Sequence, residues 1–346
     1  MTLKDYGFTD FFEKQEISTE SSYGRVTAVF KDFYRVITDE KEFLATIKRG
    51  NFYELSATSL PAVGDFVEIS KDGQILSVLT RKTVFSRMNK DSEEQLIAAN
   101  FDYALIVMSL NHDFNLNRLE RYLTVAWDSG ATPIIILTKA DLVEDLTVYT
   151  EQLETVAYGV PAYYVDNLSH HGFEALKRDL KPHSTLVLLG SSGVGKSSFI
   201  NSLAGADLIK TADIRADDSK GKHTTTHREM HLLNNGWIVI DTPGMREFGV
   251  GINHTGFETT FSDIEELAQH CRFRDCSHTK EPGCAVQTAI DDSSLSMQHY
   301  ENWLKLQREM AYHERKNSPA LARQERDRWK AIHKSLRTQL KTRSKK

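Results

Sequence analysis

Cysteine is scarce in this chain of 346 residues: there are three, all between positions 271 and 284. An odd, local set excludes a disulfide framework and points to a metal held by neighbouring side chains. Long apolar runs are also absent. The longest, such as Ala104-Leu105-Ile106-Val107-Met108, have the length of a strand, so no helical membrane span is expected. The first residues mix Lys4, Asp5, Asp10, Glu13, Lys14 and Glu16 with scattered aromatics and form no continuous apolar segment, so no secretory leader is expected and the cytoplasm is the expected location. What is present is a composition of the soluble globular kind, 40% apolar and 26% charged, with material for two or three domains.

The charge is small in sum and uneven in place. The chain carries −5, yet from Glu314 to Lys346 there are 12 Lys/Arg against 3 Asp/Glu, a local +9 that leaves −14 for everything before it. A basic end on an acidic protein suits nucleic acid, although such a run also serves as a plain solvated helix face. Ala320 to Leu340 is predicted to be that helix, with Arg323, Arg326, Arg328, Lys330, Lys334 and Arg337 beside a few apolar residues.

Gly190-Ser191-Ser192-Gly193-Val194-Gly195-Lys196-Ser197-Ser198 fits the pattern G-x-x-x-x-G-K-[ST]. The glycines let backbone amides turn toward one anionic group, Lys196 reaches the terminal phosphates as a point charge, and the Ser197 hydroxyl can ligate Mg²⁺. Thr185 to Leu189 before the loop reads as a buried strand, and Ser197 to Leu203 after it as a helix whose N-terminus faces the phosphates. A glycine-rich surface turn is the bland alternative.

Residues 21 to 85 read as an OB-like barrel of short strands, Tyr23 to Phe30, Phe33 to Thr38, Glu42 to Lys48, Asp65 to Ser70 and Gln74 to Leu79. Arg25, Lys31, Arg35, Lys48 and Arg49 interleave with Tyr23, Phe33, Tyr34, Phe52 and Tyr53, a combination that either contacts RNA by stacking and charge or fills the barrel core. Glu93 to Asn100 is predicted as a short helix capped by Asp91 or Ser92. From Tyr103 onward, strands at 103–109, 133–137 and 162–165 alternate with helices near 119–130, 145–158 and 172–180, so a mostly parallel sheet covered by helices is expected. The second of these strands delivers Thr138-Lys139-Ala140-Asp141. After the phosphate loop, Gly221 to Arg228 reads as a polar loop, and Met230 to Leu233 with Trp237 to Ile240 as a hairpin ending in Asp241-Thr242-Pro243-Gly244. An Asp in that place suits Mg²⁺, directly or through water. Beyond Gly251, helices are predicted over 263–270 and 295–313. Between them Cys271, Cys276, His278 and Cys284 supply the four ligands that a closed tetrahedral Zn²⁺ site takes.

These are parts of a guanine-nucleotide switch in an unusual order, with the base-reading motif ahead of the phosphate loop rather than behind it. Parallel α/β sheets tolerate such a permutation because each element's place depends on its neighbours in the sheet. On these motifs, with Gly221-Lys222-His223-Thr224-Thr225, with Arg246-Glu247-Phe248-Gly249 after Asp241-Thr242-Pro243-Gly244, and with the Cys-x4-Cys-x-His-x5-Cys cluster, the chain resembles the ribosome-small-subunit-dependent GTPase A family. These are circularly permuted GTPases of bacteria, and the likeness covers nearly the whole chain. It implies GTP hydrolysis stimulated by the small ribosomal subunit, a part in late maturation of that subunit, one structural zinc, and contact with ribosomal RNA. The expected fold is multidomain: an N-terminal segment and OB-like barrel over 1–88, a circularly permuted α/β P-loop GTPase domain over 89–250, and a mainly α zinc-binding domain with the basic helix over 251–346. A monomer is expected.

GTP or GDP would then lie with its phosphates on Gly190 to Ser198, Mg²⁺ on Ser197 near Asp241, the terminal phosphate against Gly244, and the base at Thr138, Lys139, Ala140 and Asp141. Asp141 accepts from the N1 and N2 donors of guanine, which adenine lacks. Thr138 stands where this motif ordinarily begins with Asn, and is expected to tether the site less well. The fifth motif, usually Ser-Ala, is not recognisable around Val165-Asp166-Asn167. Met245 occupies the place of a water-orienting Gln, so unaided hydrolysis is expected to be slow, with the subunit completing the geometry. Lys196, Thr225 (or Thr224) holding Mg²⁺, and His223 positioning water are the catalytic candidates. The rival readings are an ATP-using P-loop enzyme and a nucleotide-sensing RNA-binding adaptor with little turnover.

Overall fold

The computed structural model describes residues 1–52, 57–88, 94–111, 113–209, 228–241, 254–317 and 323, and the chain falls into two compact units, Met1–Gln269 and His270–Lys346. The first begins with a short helix, α1 (Asp10–Glu13), and the strands β1 (Ser22–Val29), β2 (Tyr34–Ile37), β3 (Glu42–Ile47), β4 (Phe66–Ile69) and β5 (Gln74–Val78). They pair in the order β1-β2-β3-β5-β4, and β4 returns to β1, which closes the expected barrel. Alternation along the strands puts Val26, Val36, Ala45, Val67, Ile69 and Ile75 inside. An aromatic plug stops one end: the Phe12 and Phe66 rings lie 4.2 Å apart, with Phe8 and Tyr23 packed against them.

The basic and aromatic residues of the barrel divide between inside and outside. Tyr34 and Phe52 pack on the barrel core and Tyr23 on the plug, which leaves Phe33, 47% exposed, with Lys31 and Lys48 on the surface. Arg25 is withdrawn from solvent, 1% exposed, so it cannot contact RNA. Its guanidinium donates to the carbonyls of Gly64, Asn100 and Tyr6 and to the Thr185 hydroxyl. Burial pushes it down to about 10, a cost that these acceptors offset. Because Thr185 starts the strand before the phosphate loop, Arg25 ties the barrel to the nucleotide-binding sheet.

A second correction concerns residues 93–100. The chain there is not helical but forms β7 (Glu94–Ala99), paired antiparallel with β6 (Val84–Met88). Leu96, Ile97, Ala98 and Ala99 are consecutive and all buried. Such a run suits a strand covered on both faces, whereas a helix would spread it around its axis and expose part of it.

The alternating segment follows as β8 (Tyr103–Ser109), α2 (Leu116–Asp128), β9 (Thr132–Thr138), α3 (Thr147–Glu154), β10 (Ala162–Val165), α4 (Phe173–Asp179), β11 (Thr185–Leu189), α5 (Lys196–Ala204), β12 (Arg228–Leu232) and β13 (Ile238–Asp241). Strands β10-β9-β8-β11-β13 run parallel. The antiparallel β12 caps that edge and joins β1, making one 11-stranded sheet. β8, in the middle, is buried along its whole length, which explains its unbroken apolar sequence.

Two helices complete this unit, α6 (His254–Thr260) and α7 (Ser262–Ala268). α6 packs closely on α2: the Gly256 N–H donates to the Asp128 carboxylate at 2.7 Å, and a Cβ on Gly256 would come within 2.2 Å of the Thr124 carbonyl. Only glycine allows that approach. The second unit contains α8 (Ala285–Asp291) and α9 (Met297–Asn317), whose Tyr300, Trp303, Leu306 and Met310 are buried at helical spacing. The basic helix predicted over 320–340 lies outside the described residues, Arg323 excepted. No helix among the described residues is long and apolar enough to cross a membrane.

Candidate functional site

The loop Gly190 to Gly195 joins β11 to α5, and its glycines sit at positive φ, with Gly190 at 148°, Gly193 at 83° and Gly195 at 90°. At Gly190 a Cβ would meet the Val107 carbonyl at 2.2 Å, so the loop can fold tightly over β8 only with glycine there. Lys196 opens α5, and its ammonium bends back to donate to the carbonyls of Gly190 at 2.8 Å and Ser191. The lysine is thereby held across the loop. Ser197 and Ser198 follow on the first turn of α5, where free backbone N–H groups and the helix dipole favour an anion.

Asp241, the last residue of β13, lies one strand away from β11. Burial pushes its carboxyl above the ordinary carboxylate range, while His231 and Lys196 pull it the other way. A group that is penalised for its charge and still faces a lysine suits coordination to a cation. His223, Thr224, Thr225, Gly244 and Met245 lie outside the described residues.

The base-reading segment comes from the end of β9. Lys139 adopts a left-handed conformation, φ 59°, and Ala140 and Asp141 enter a single 3₁₀ turn, Ala140–Leu142. The buried Thr138 hydroxyl donates to the Val194 carbonyl at 2.7 Å. The β-branched side chain holds this oxygen rigidly toward the loop, through the single proton that a hydroxyl can donate. The motifs that the permutation separates in sequence therefore meet in space.

Sequence reasoning missed two neighbours of the loop. Arg118, near the start of α2, donates to the Ser191 hydroxyl and pairs with Asp113 at 2.5 Å, which places an ion pair beside the loop. Nothing in the spacing signals it. Asn167, just past β10, donates from Nδ2 to the Gly195 carbonyl at 3.4 Å. The strand register would have found it, because Val165 pairs with Thr138.

In the second unit Cys271, Cys276, His278 and Cys284 bring their ligand atoms within 4.8 Å of one another. The Cys271 and Cys284 sulfurs are 3.8 Å apart, and His278 Nδ1 is 3.5 Å and 3.6 Å from them. Zn–S bonds of about 2.3 Å at tetrahedral angles put sulfurs ~3.8 Å apart, so the cluster fits one such ion. His278 has φ 58°, and its carbonyl accepts from Tyr300 Oη and Gln287 Nε2, both at 2.6 Å. These bonds fix the backbone from which the imidazole reaches the sulfurs. Burial raises the Cys271 thiol, but the N–H groups of Ala285 and Val286 outweigh it and leave it below its ordinary range. The Cys276 thiol is pushed up to about 11 by desolvation and the neighbouring sulfurs. Sulfurs crowded in this way favour a shared cation over several separate protons.

A family model described as RsgA GTPase matches residues 78–251, which span the base-reading segment, the phosphate loop and Asp241. The chain belongs to the RsgA GTPase family. It is 85% identical over 346 residues, the whole of both chains, to a Listeria monocytogenes protein named small ribosomal subunit biogenesis GTPase RsgA 2. A protein of the same name from Lactiplantibacillus plantarum is 43% identical over 320 residues, 90% of each chain. Two crystal structures share the fold. YjeQ from Thermotoga maritima has a TM-score of 0.63 at 24% identity, covering 84% of this chain and 98% of that one, a likeness that speaks to the fold alone. YloQ, described as a circularly permuted GTPase, has a TM-score of 0.61 at 26% identity, covering 85% and 97%. This chain is accordingly a permuted GTPase with a metal-capable Cys/His cluster.

Proposed function

We propose that the chain binds GTP and hydrolyses it in response to the small ribosomal subunit, during late maturation of that subunit, and contacts ribosomal RNA as it does so. The names of its full-length relatives in the RsgA family support the subunit as partner. The observation that carries the nucleotide reading is the 2.7 Å bond from Thr138 to Val194, which joins the base-reading segment to the phosphate loop across the permutation. In this reading Gly190 to Ser198 surround the phosphates, Lys196 neutralises charge that builds on the transferred group, and Ser197 ligates Mg²⁺ with Asp241 close by. Lys139 packs along the base and Asp141 accepts from its N1 and N2 groups. Thr225 and Gly244 meet the terminal phosphate, and His223 positions water when the subunit completes the geometry. Met245, having no hydrogen-bonding group to orient water, is consistent with slow unaided turnover.

Zn²⁺ is the ion that best suits the Cys/His cluster, because four protein ligands leave no open position and the role is then structural. The barrel, the permuted GTPase domain and the metal-bearing segment act as three functional parts of a cytoplasmic monomer. The barrel's Phe33, Lys31 and Lys48 and the basic C-terminal segment supply RNA contacts. Single-turnover hydrolysis of GTP with and without purified small subunits tests the reading. Acceleration by the subunit is expected, and turnover unchanged by it would favour an adaptor that senses nucleotide without using it up. Displacement of labelled GDP by ATP as effectively as by GTP would overturn the guanine assignment.

A further inference from the structure

The base end of the site lacks the Asn with which its motif ordinarily begins. A carboxamide there has two protons to donate and an oxygen to accept, whereas the Thr138 hydroxyl has one proton. That proton goes to Val194 O at 2.7 Å, the alternative acceptor, Met108 O, being farther away at 3.3 Å. One strand further out, Asn167 brings a carboxamide to the same loop. β10 runs parallel to β9 with Val165 opposite Thr138, so the residues just beyond Val165 emerge beside the base-reading segment.

Asn167 Nδ2 donates to Gly195 O at 3.4 Å, and a Cβ built on Gly195 would lie 3.1 Å from that nitrogen and 3.8 Å from Thr138 Oγ1. The two side chains therefore close on the same side of Gly195. The backbone that carries Asn167 is itself fixed. Its carbonyl accepts from Ser202 Oγ on α5 at 3.0 Å, and the Asp166 carboxylate accepts from the N–H groups of Leu168 at 2.8 Å and Ser169 at 3.0 Å. The carboxamide oxygen of Asn167 is buried with no hydrogen-bond partner among the described residues. Half of the polar capacity of this group is thus not spent on holding the fold, and a buried acceptor left unmade is unfavourable.

We propose that Asn167 is a positioning residue of the guanine site, and that it and Thr138 divide between the ends of two adjacent strands the anchoring that a single Asn performs in the ordinary motif. Thr138 holds Val194, and Asn167 holds Gly195, so that the loop's last turn before Lys196 stays in register with Lys139 and Asp141. The inference rests on the guanine reading above. It also places the otherwise unrecognisable fifth motif at Asp166-Asn167, with Asp166 shaping the turn and Asn167 reaching the loop.

The test is a fluorescent-GDP titration of the full chain and its variants, with melting temperature as a second readout. For Asn167→Ala, affinity should fall roughly tenfold, through faster dissociation, because one amide hydrogen bond and the order it imposes are lost. The melting temperature should stay at that of the parent, since the deletion also removes the unpartnered oxygen. Thr138→Asn in the Asn167→Ala background returns the carboxamide to its ordinary place, and should bring affinity back to within about threefold of the parent. Asn167→Asp keeps the shape, donates nothing, and should weaken binding at least as much as the Ala variant. Parent-like affinity in either single variant, or failure of a folded double variant to recover, would overturn the proposal. Equal displacement of the probe by ATP and GTP in the parent chain would instead show that the guanine reading itself is wrong, a result separable from anything the Asn167 variants do.

Discussion

The first unit holds its nucleotide site on a sheet whose central strand is wholly buried, with Leu105, Val107, Leu186 and Leu188 among helices α4 and α5. The second unit has the buried side chains of α8 and α9, but the turns that bear Cys271, Cys276 and His278 are joined mainly by polar groups and by the sulfurs themselves. The contrast separates two uses of a ligand. On the proposed function, a nucleotide would bind to a frame that is packed without it, whereas a metal would be part of the frame itself. Ligand removal should therefore leave one unit folded and undo the other.

The largest expected effect follows directly. Metal binding contributes on the order of 10 kcal/mol in small zinc domains. Dialysis against a chelator, or Cys276→Ser, should make His270–Lys346 susceptible to limited proteolysis while Met1–Gln269 keeps its melting transition. A single coincident loss of both units would break the comparison. Next in size is Lys196→Ala. Deleting a charged donor to phosphate costs about 3 kcal/mol, roughly 150-fold in nucleotide affinity or in single-turnover rate, and should change the melting temperature little because the lysine's bonds to the Gly190 and Ser191 carbonyls lie within its own loop.

Gly256→Ala probes the frame of the first unit. A methyl at this helix position adds up to about 1 kcal/mol of helix propensity. Its approach to the Thr124 carbonyl, however, forces α6 away from α2 at a cost of about 1 to 3 kcal/mol. The net loss should lower the melting temperature by a few degrees in calorimetry, and a rise would show that α6 is free to shift.

The smallest effect concerns acid. Glu281 is held down to about 2, first by the Ser277 hydroxyl and then by backbone N–H groups of its own turn. A depressed carboxyl contributes stability above its ordinary pKa of 4.5 and loses it as the pH falls from there toward 2. Between pH 7 and 5 its contribution is therefore constant, and acid release of metal in that window belongs to the four ligands themselves. Glu281→Gln should weaken metal retention slightly, with an unchanged pH midpoint when release is followed with a chromogenic chelator. A shifted midpoint would place the carboxylate among the titrating groups.

How much was legible depended on how local the cause was. The barrel strands, the parallel strands and the phosphate loop follow from period, turn residues and motif, and in the structure they lie within a residue or two of the predicted bounds. β7 was misread because a short apolar run carries no period of its own, and its strand state comes from the partner β6. α6 and α8 went unanticipated because each is short, and α6 is set by its packing on α2 through Gly256. Arg25 looked like an RNA contact because sequence shows charge but not direction. Its burial is decided by four acceptors, at Tyr6, Gly64, Asn100 and Thr185, spread over the whole first unit.

The sequence by itself determined the chemistry at both centres. G-x-x-x-x-G-K-[ST] imposes a phosphate loop because backbone amides and a lysine are needed at fixed spacing, and four soft or borderline ligands within a short span make a metal site. Only the tertiary structure decided which distant residues lie against the phosphate loop. Parallel pairing of β8, β9, β10 and β11 carries Thr138 and Asn167 to Val194 and Gly195, and α2 carries Arg118 to Ser191. Those contacts depend on strand register and helix placement, which arise from burial of the whole sheet and leave no local mark in the order of residues.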